Sequence, residues 1–169
     1  MPQTWLVTGA SSGLGTAIAE SALRAGNKVL ATARNPGKAA SENPQIEELG
    51  GIWVRLDVTQ ADTARHVETT IRENGGSIDV VVNNAGYSLL GSIEDMSEDE
   101  IESQLSTNLK GPIRVLKGVL PFMRAQRSGT VVNISSSAGV QAFPACGMYA
   151  GSKFALEGEI KFFFSVTII

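Results

Sequence analysis

The amino-acid sequence predicts an α/β fold, with a parallel sheet that is doubly wound by helices on both of its faces. Short β-branched runs alternate along the 169 residues with longer segments whose apolar residues recur at helical spacing. The run Ile78–Val82 is almost continuously apolar, which is typical of strands that a parallel sheet buries on both faces. We expect a single domain over residues 1–169.

Composition narrows the class of protein. Hydrophobic residues make up 43% of the chain and charged residues 18%, as in globular proteins. A net charge of −3 provides no basic field for nucleic acid or an anionic membrane, and no apolar run approaches the ~20 residues of a membrane span. Cys146 is the sole cysteine, which fits a reducing compartment, and His66 has no second metal-type partner nearby. We therefore expect a cytoplasmic protein with no metal, nucleic-acid or membrane partner.

The first strand–helix unit contains a glycine-rich turn. A strand at Trp5–Thr8 leads into the turn, and the helical pattern starts by Ile18. The turn reads Gly9, Ala10, Ser11, Ser12, Gly13, Leu14 and Gly15. Its backbone N–H groups and the helix N-terminus could cradle a pyrophosphate. The spacing differs from G-x-G-x-x-G, so a structural glycine turn remains an equal alternative.

The second strand, Lys28–Ala33, is followed by Arg34. An acidic residue at this tip would bind a ribose 2′-hydroxyl, whereas an arginine suits a 2′-phosphate. A charge-assisted hydrogen bond to phosphate contributes about 1.5–3 kcal/mol. The alternative is that Arg34 is a solvated loop charge.

The third and fourth strands also end in polar residues. The third is expected over Gly51–Leu56, before Asp57 and Val58, and a mostly polar helix follows over Ala61–Glu73. The fourth stops at Asn83, Asn84, Ala85 and Gly86. Asparagine side chains both donate and accept hydrogen bonds, so they can tie strand ends together or contact a ligand.

A long helical region is expected over Asp95–Ala125. Ser97 and Glu100 form a plausible capping box at its start, and the Gly111-Pro112 pair and Pro121 are expected to bend it. Asn108 is a polar residue in a stretch that otherwise forms core. It is therefore either an accident of helix bending or a functional group.

The fifth strand, Thr130–Ile134, ends at Ser135, Ser136 and Ser137. Ligands of open parallel sheets bind beyond the carboxyl ends of the strands, where these serines and the earlier polar residues fall. Tyr149 and Lys153 follow four residues apart, which places both on one face of a helix. A lysine ammonium favours the phenolate and so suits a tyrosine for general acid–base chemistry, although any amphipathic helix can carry such a pair.

Five motifs in order resemble those of the classical short-chain dehydrogenase/reductase family. They are Thr8-Gly9-x-x-x-Gly13-x-Gly15, Asn83-Asn84-Ala85-Gly86, Asn108, Ser136 and Tyr149-x-x-x-Lys153, and the match runs from about Thr4 to Glu157. The resemblance implies a Rossmann-like fold that binds NAD(P)(H). It also implies hydride transfer between nicotinamide and a small-molecule carbonyl or secondary alcohol.

The resemblance also implies residue roles. Tyr149 would donate or accept the proton, and Lys153 would stabilise its phenolate and bind the nicotinamide ribose. Ser136 would bond the substrate oxygen, and Asn108 would complete a proton relay through water. The implied cofactor-binding residues are Gly9, Ser11, Ser12, Gly13, Leu14, Gly15, Arg34, Asp57, Val58, Asn84, Ala85, Gly86, Tyr149 and Lys153. Arg34 favours NADP(H) over NAD(H), although Ser12 stands where NADP-dependent members often carry a basic residue.

The C-terminal part departs from the family pattern. The helical pattern after Lys153 is expected to give way at Phe162–Phe164, and Ser165–Ile169 is interpreted as the start of a sixth strand. Comparison with the family then implies a sheet that is incomplete at its C-terminal edge, without the last strand and the substrate loop. A shortened association helix would put the family-type homodimer or tetramer in doubt.

Two functions follow from the sequence. The first is an NADP(H)-dependent oxidoreductase with Tyr149 as general acid/base, and the second is a truncated, inactive nucleotide-binding fragment. Apolar residues flank the expected site and indicate either a lipophilic substrate or ordinary packing. They are Leu89, Leu90, Val140, Phe143 and Met148.

Overall fold

The computed structural model describes residues 1–166, with side chains described for residues 1–159. The strands are β1 Thr4–Val7, β2 Lys28–Ala33, β3 Ile52–Arg55, β4 Val80–Asn83 and β5 Thr130–Asn133. The helices are α1 Gly13–Arg24, α2 Pro36–Glu42, α3 Gln45–Glu48, α4 Thr63–Glu73, α5 Glu98–Leu105, α6 Gly111–Gln126 and α7 Gly147–Val166. Short 3-10 turns lie at Ile93–Asp95 and Ser137–Gly139, and a π-helical turn lies at Ser106–Lys110.

The five strands form one parallel sheet in the order β3-β2-β1-β4-β5. Val7 of β1 lies beside Ala31 of β2 on one side and Val82 of β4 on the other. The chain therefore adds β2 and β3 on one side of β1, and later adds β4 and β5 on its other side. All the strands end at the same edge, and a crevice opens where the winding reverses between β1 and β4.

Helices cover both faces of the sheet. On one face Leu6 and Val81 pack in a core with buried residues of α4 and α6, and on the other Val7 and Val80 pack with buried residues of α1. All four β4 residues are buried, as the continuous apolar run predicts. The predicted doubly wound parallel α/β fold is confirmed.

The predicted long helix between β4 and β5 is divided by the π-helical turn. The capping box of Ser97 and Glu100 is confirmed at the start of α5. Pro112 has no N–H, so the Asn108 carbonyl lacks the donor that an α-helix would supply from four residues ahead. The π-helical turn falls just before this proline. The helical region is therefore interrupted directly before the Gly111-Pro112 pair, whereas α6 continues through Pro121.

The expected sixth strand is wrong in the described part. Helix α7 runs to Val166, so Ser165 and Val166 are helical, and the pattern does not give way at Phe162. Thr167–Ile169 lie outside the described residues. No glycine or proline follows Gly158, and aromatic and β-branched residues cost only a few tenths of a kcal/mol each in a helix. The sequence reading also missed α2 and α3.

The turn between β1 and α1 packs directly against the segment that follows β4. A Cβ on Gly9, whose φ is 63°, would lie 2.8 Å from the Ala85 Cα. A Cβ on Gly15 would lie 2.3 Å from the Gly9 carbonyl oxygen and 2.5 Å from Asn84 Nδ2. Glycine at these two positions lets the backbones meet, which fixes the geometry of the crevice.

Gly15→Ala is expected to destabilise the protein by about 1–3 kcal/mol, because its methyl group would force the turn away from Asn84. Urea unfolding followed by circular dichroism measures the change. Gly151→Ala is the control, since a Cβ there has nothing within 4 Å, and a glycine-to-alanine change inside a helix stabilises by about 0.5–1 kcal/mol. Equal stability changes in the two variants would contradict the packing argument.

Candidate active site

A cleft of about 550 Å³ lies at the carboxyl ends of the strands. Segments that are distant in the sequence line it: the turn after β1, the ends of β2 and β3, the segment after β4, the π-helical turn, the end of β5, and α7. The lining residues are Gly9, Ser11, Ser12, Leu14, Ala33, Arg34, Leu56, Asp57, Val58, Thr59, Asn84, Ala85, Gly86, Tyr87, Ser88, Thr107, Ile134, Ser135, Tyr149 and Lys153. Of the predicted site residues, Gly13, Gly15, Asn108 and Ser136 support the cleft from outside this lining.

The N-terminus of α1 opens onto the cleft without a side-chain cap. Ser12 is the N-cap residue, but its side chain makes no capping hydrogen bond, and the first turn contains no acidic residue. The Thr16 hydroxyl donates to the Ala10 carbonyl at 2.8 Å and holds the turn closed. Uncapped N–H groups and the positive end of the helix dipole together suit an anion. The residues present therefore fit a pyrophosphate.

Thr8 and Asn84 tie the first turn to the end of β4. The Thr8 hydroxyl accepts hydrogen bonds from the backbone N–H groups of Asn84 and Ala85, each at 3.0 Å. Asn84 Nδ2 donates to the carbonyls of Thr8 and Gly9, at 2.9 and 3.1 Å. Asn83 similarly donates to the Asn133 side chain at 2.7 Å. In this structure both asparagines tie strand ends together, which is one of the two roles that the sequence left open.

The end of the cleft beside β2 and β3 contains two charged residues that the sequence analysis assigned to cofactor binding. The exposed Arg34 and the partly buried Asp57 line it together. Burial raises the pKa of Asp57, but hydrogen bonds from Thr59 and Gln60 and the charge of Arg34 outweigh it, so the pKa lies below its usual value. Asp57 is therefore ionised at neutral pH, and Arg34 is free to face an anionic ligand from solvent.

Tyr149 and Lys153 share one face of α7 at the other end of the cleft. Lys153 Nζ lies 5.9 Å from the centroid of the Tyr149 ring and donates to the Ile134 carbonyl at 2.6 Å. Burial lowers the pKa of Lys153, and the Glu157 carboxylate partly opposes this. The lysine is 6% exposed, so its one described hydrogen bond anchors α7 to the end of β5.

The serines after β5 take different positions. Ser136 accepts a hydrogen bond from the Ala138 N–H at 3.1 Å and caps the 3-10 turn. Ser135 lines the cleft, and its buried hydroxyl has no hydrogen-bond partner among the described residues. The structure thus brings Ser135 to the cleft wall and Ser136 to the turn behind it.

Asn108 is 1% exposed and its side chain contacts two elements. Its Oδ1 accepts from the Tyr87 N–H at 3.1 Å, and its Nδ2 donates to the Tyr87 carbonyl at 2.9 Å and to the Ser152 hydroxyl at 3.2 Å. Ser152 in turn donates to the Tyr149 carbonyl at 2.7 Å. Asn108 therefore connects the segment after β4 with the helix that carries Tyr149.

The sequence reading missed Gln104, which lies one turn before Asn108 and is completely buried. Its Oε1 accepts from the Leu89 N–H at 2.7 Å, and its Nε2 donates to the Tyr87 carbonyl at 2.9 Å. A signal was present, because a second amide stands four residues from Asn108 on the same face of an otherwise apolar stretch.

Exposed apolar side chains lie on the segments that precede α5 and α7. The Gly91 N–H joins these two segments by donating to the Ala145 carbonyl at 2.9 Å. Leu90 and Val140 are 62% and 74% exposed. Ile93 and Phe143 are exposed beside them.

Two kinds of feature, a membrane-spanning helix and a metal site, are absent from the part of the chain that the structure describes. Within residues 1–166 no helix is long and apolar enough to cross a bilayer. No group of three or more His, Cys, Asp or Glu side chains is placed to hold a metal ion in that same part of the chain.

Residues 3–162 match the profile of the short chain dehydrogenase family. The chain is 50% identical over 159 residues to an oxidoreductase of Passalora fulva, covering 94% of this chain and 72% of that protein. It is 39% identical to a 3-ketodihydrosphingosine reductase of Bacteroides thetaiotaomicron, covering 93% and 55%. A metagenomic short-chain oxidoreductase solved in complex with NADP superposes with a TM-score of 0.87 at 33% identity, covering 94% and 72%.

Seven curated relatives are much longer than this chain. It spans between 52% and 58% of them, the Bacteroides reductase included. The cleft described above therefore corresponds to the shared part of these proteins.

Asp57→Asn is expected to remove a pH-dependent part of the stability. The folded-state pKa of Asp57 lies below its usual value of 3.8, so its carboxylate stabilises the fold above about pH 4. That contribution is lost as the pH falls through the lowered pKa. Urea unfolding at pH 7 and at pH 3 should show the variant less stable at pH 7 and the difference reduced at pH 3. A difference that stays constant or widens on acidification would contradict the assignment.

Proposed function

Because the chain belongs to the short-chain dehydrogenase family, we propose that it is an NADP(H)-dependent oxidoreductase acting on a carbonyl or secondary alcohol. The observation that carries the proposal is the placement of Tyr149 and Lys153 in the same cleft as the uncapped N-terminus of α1. One end of the cleft thus suits a pyrophosphate and the other suits proton transfer. When bound, a nicotinamide cofactor supplies the hydride, and the protein supplies position and the proton.

Tyr149 is the proposed general acid and base. Reduction of a carbonyl places negative charge on its oxygen, and the Tyr149 hydroxyl donates the proton that neutralises it. The resulting phenolate is favoured by the Lys153 ammonium, 5.9 Å from the ring centroid and held in place by the Ile134 carbonyl. Oxidation of an alcohol uses the same groups in reverse.

Ser136 and Asn108 are the other proposed participants. We assign Ser136 to the hydrogen bond with the substrate oxygen on its spacing from Tyr149, and Ser135 is the neighbouring hydroxyl on the cleft wall. The side-chain donors of Asn108 are both used by Tyr87 and Ser152. Its carbonyl lacks the usual helical donor because residue 112 is proline. That carbonyl is the group that we propose for a water-mediated proton relay.

The proposed preference for NADP(H) rests on the end of the cleft beside β2. Ala33 and Arg34 line it, and no carboxylate stands at this strand tip to bond a ribose 2′-hydroxyl. The other proposed cofactor contacts are Gly9, Ser11, Ser12, Gly13, Leu14, Gly15, Asp57, Val58, Asn84, Ala85 and Gly86. The related oxidoreductase solved with NADP is consistent with this choice.

We further propose that the substrate is lipophilic. The apolar Leu90, Ile93, Val140 and Phe143 are exposed on two segments joined by the Gly91–Ala145 hydrogen bond, and Ile93 lies beside Gly147, two residues before Tyr149. Exposed apolar side chains gathered at a site mark a binding surface more often than isolated ones do. The Bacteroides relative is named for a sphingoid ketone, which agrees with an apolar surface near Tyr149.

Tyr149→Phe is expected to lower kcat by about 10²–10⁴-fold, because phenylalanine keeps the ring but removes the proton. NADPH oxidation with aryl and medium-chain ketones measures turnover, and tryptophan quenching measures NADPH affinity, which should stay unchanged. Turnover in Tyr149→Phe equal to wild type would overturn the role of Tyr149. NADPH binding without turnover in the wild-type chain would favour a nucleotide-binding protein that lacks catalysis.

Arg34→Ala is expected to weaken NADPH binding by roughly ten-fold to a hundred-fold, equivalent to about 1.5–3 kcal/mol for a charge-assisted bond to phosphate. NADH has no 2′-phosphate, so its affinity should change little. Arg65→Ala is the matched control, because Arg65 is an exposed arginine on α4 outside the cleft lining. An equal loss of affinity for both nucleotides would contradict recognition of the 2′-phosphate.

A further inference from the structure

The segment after β4 continues past the sheet as an irregular backbone that belongs to no strand. Strand β4 ends at Asn83, and β5, its neighbour, ends at Asn133. Residues 86–88 nevertheless form part of the cleft wall close to Tyr149. Backbone N–H and C=O groups in such a place need hydrogen-bond partners from another source.

Two side-chain amides supply these partners. Gln104 binds the Leu89 N–H and the Tyr87 carbonyl, and Asn108 binds both the N–H and the carbonyl of Tyr87. We call this arrangement of Gln104, Asn108 and the backbone of residues 87–89 the amide clamp. A carboxamide carries a donor and an acceptor side by side, as a peptide group does. Gln104 therefore reproduces the bonds that a neighbouring strand would make to residues i and i+2.

We propose that Gln104 is a positioning residue for the nicotinamide and substrate end of the cleft. It acts through the amide clamp, which fixes the cleft wall at Tyr87 and Ser88, and it touches neither the proposed cofactor site nor Tyr149 itself. This inference rests on the proposed function for its catalytic consequence. The structural part of the inference, that the amide clamp holds residues 87–89 in place, rests on the hydrogen bonds alone.

Because Gln104 is buried, only a side chain that both donates and accepts can replace its amide group. Its side chain is 0% exposed, so a replacement that cannot both donate and accept leaves a partly buried backbone group without this partner. Methionine has similar length but forms neither bond. Glutamate is isosteric and accepts from Leu89, but it can donate to the Tyr87 carbonyl only when protonated.

The clamp also reaches the helix that carries Tyr149. Asn108 Nδ2 donates to Ser152, and the Ser152 hydroxyl donates to the Tyr149 carbonyl. Ser152 is completely buried. A shift of residues 87–89 can therefore alter the wall of the cleft and the support of Tyr149 together, while the α1 turn and Arg34 at the other end stay in place.

The first measurement is amide hydrogen exchange in Gln104→Met. The Leu89 amide should exchange faster than in wild type, while the amides of β1 and β4 keep their protection. Val119→Ala is the control, since Val119 is a buried core residue of α6 outside the clamp. An unchanged Leu89 exchange rate, or a Leu89 amide equally fast in Val119→Ala, would overturn the clamp.

The second measurement compares NADPH with adenosine 2′,5′-bisphosphate, which fills only the adenine end. Gln104→Met should weaken NADPH binding by roughly tenfold, since small misplacements at a site are costly, and should leave the bisphosphate within twofold. Val119→Ala should leave the ratio of the two affinities unchanged. Equal losses for both ligands in Gln104→Met would overturn the positioning role.

In Gln104→Glu, protonation of the glutamate should restore the donor that the amide clamp needs. Its NADPH affinity, taken relative to wild type at each pH, should recover as the pH falls and the buried carboxyl becomes a donor. A ratio that does not recover would contradict the need for the donor. If wild type binds neither nucleotide, the cofactor proposal fails, and the exchange measurement alone decides the clamp.

Discussion

The cleft depends on how the backbone beyond the end of β4 satisfies its hydrogen bonds. From Asn84 onward the chain has left the sheet, and this partly exposed backbone forms a wall of the cleft, so its N–H and C=O groups take their partners from side chains. Thr8 and Asn84 bind its first residues to the β1 turn, and Gln104 and Asn108 bind the next ones to α5 and the π-helical turn. Side chains thus take over from the sheet at the point where the ligand-binding crevice begins.

This solution explains the irregular helix after β4. In a straight helix from α5 through α6, the residues of both segments would follow one uninterrupted helical repeat. The core-facing side chains of both segments would then have to lie on the face that this repeat sets. The extra residue of the π-helical turn at Ser106–Lys110 changes that phase, so that Gln104 and Asn108 face residues 87–89 while Val115 and Leu116 face the sheet. Arg114 supports the turn by donating to the carbonyls of Ser106 and Val58, at 3.3 and 3.2 Å.

The two ends of the cleft are supported by different physical means. At the α1 end the attraction for an anion comes from backbone N–H groups and from the exposed Arg34, neither of which needs a buried side-chain charge. At the Tyr149 end a buried lysine carries the positive charge, and its solvation is replaced by the Ile134 carbonyl. A buried cation is costly, so its retention beside a tyrosine is more consistent with proton chemistry than with packing.

From the sequence alone we could predict the order of the five strands, the polar residues at their ends and the shared face of Tyr149 and Lys153, but not α2 and α3. Each predicted feature follows from a local period or from a spacing of one helical turn, which nearby residues set. The sequence did not determine which serine lines the cleft, the phase change before Pro112 or the helical state of Ser165. Only the tertiary structure decided that Gln104 meets Leu89, Lys153 meets Ile134 and Asn84 meets Thr8. Those pairs are 15 to 76 residues apart along the chain, and they form because sheet register and helix packing bring distant groups together in partly buried positions, where their backbone N–H and C=O groups need partners.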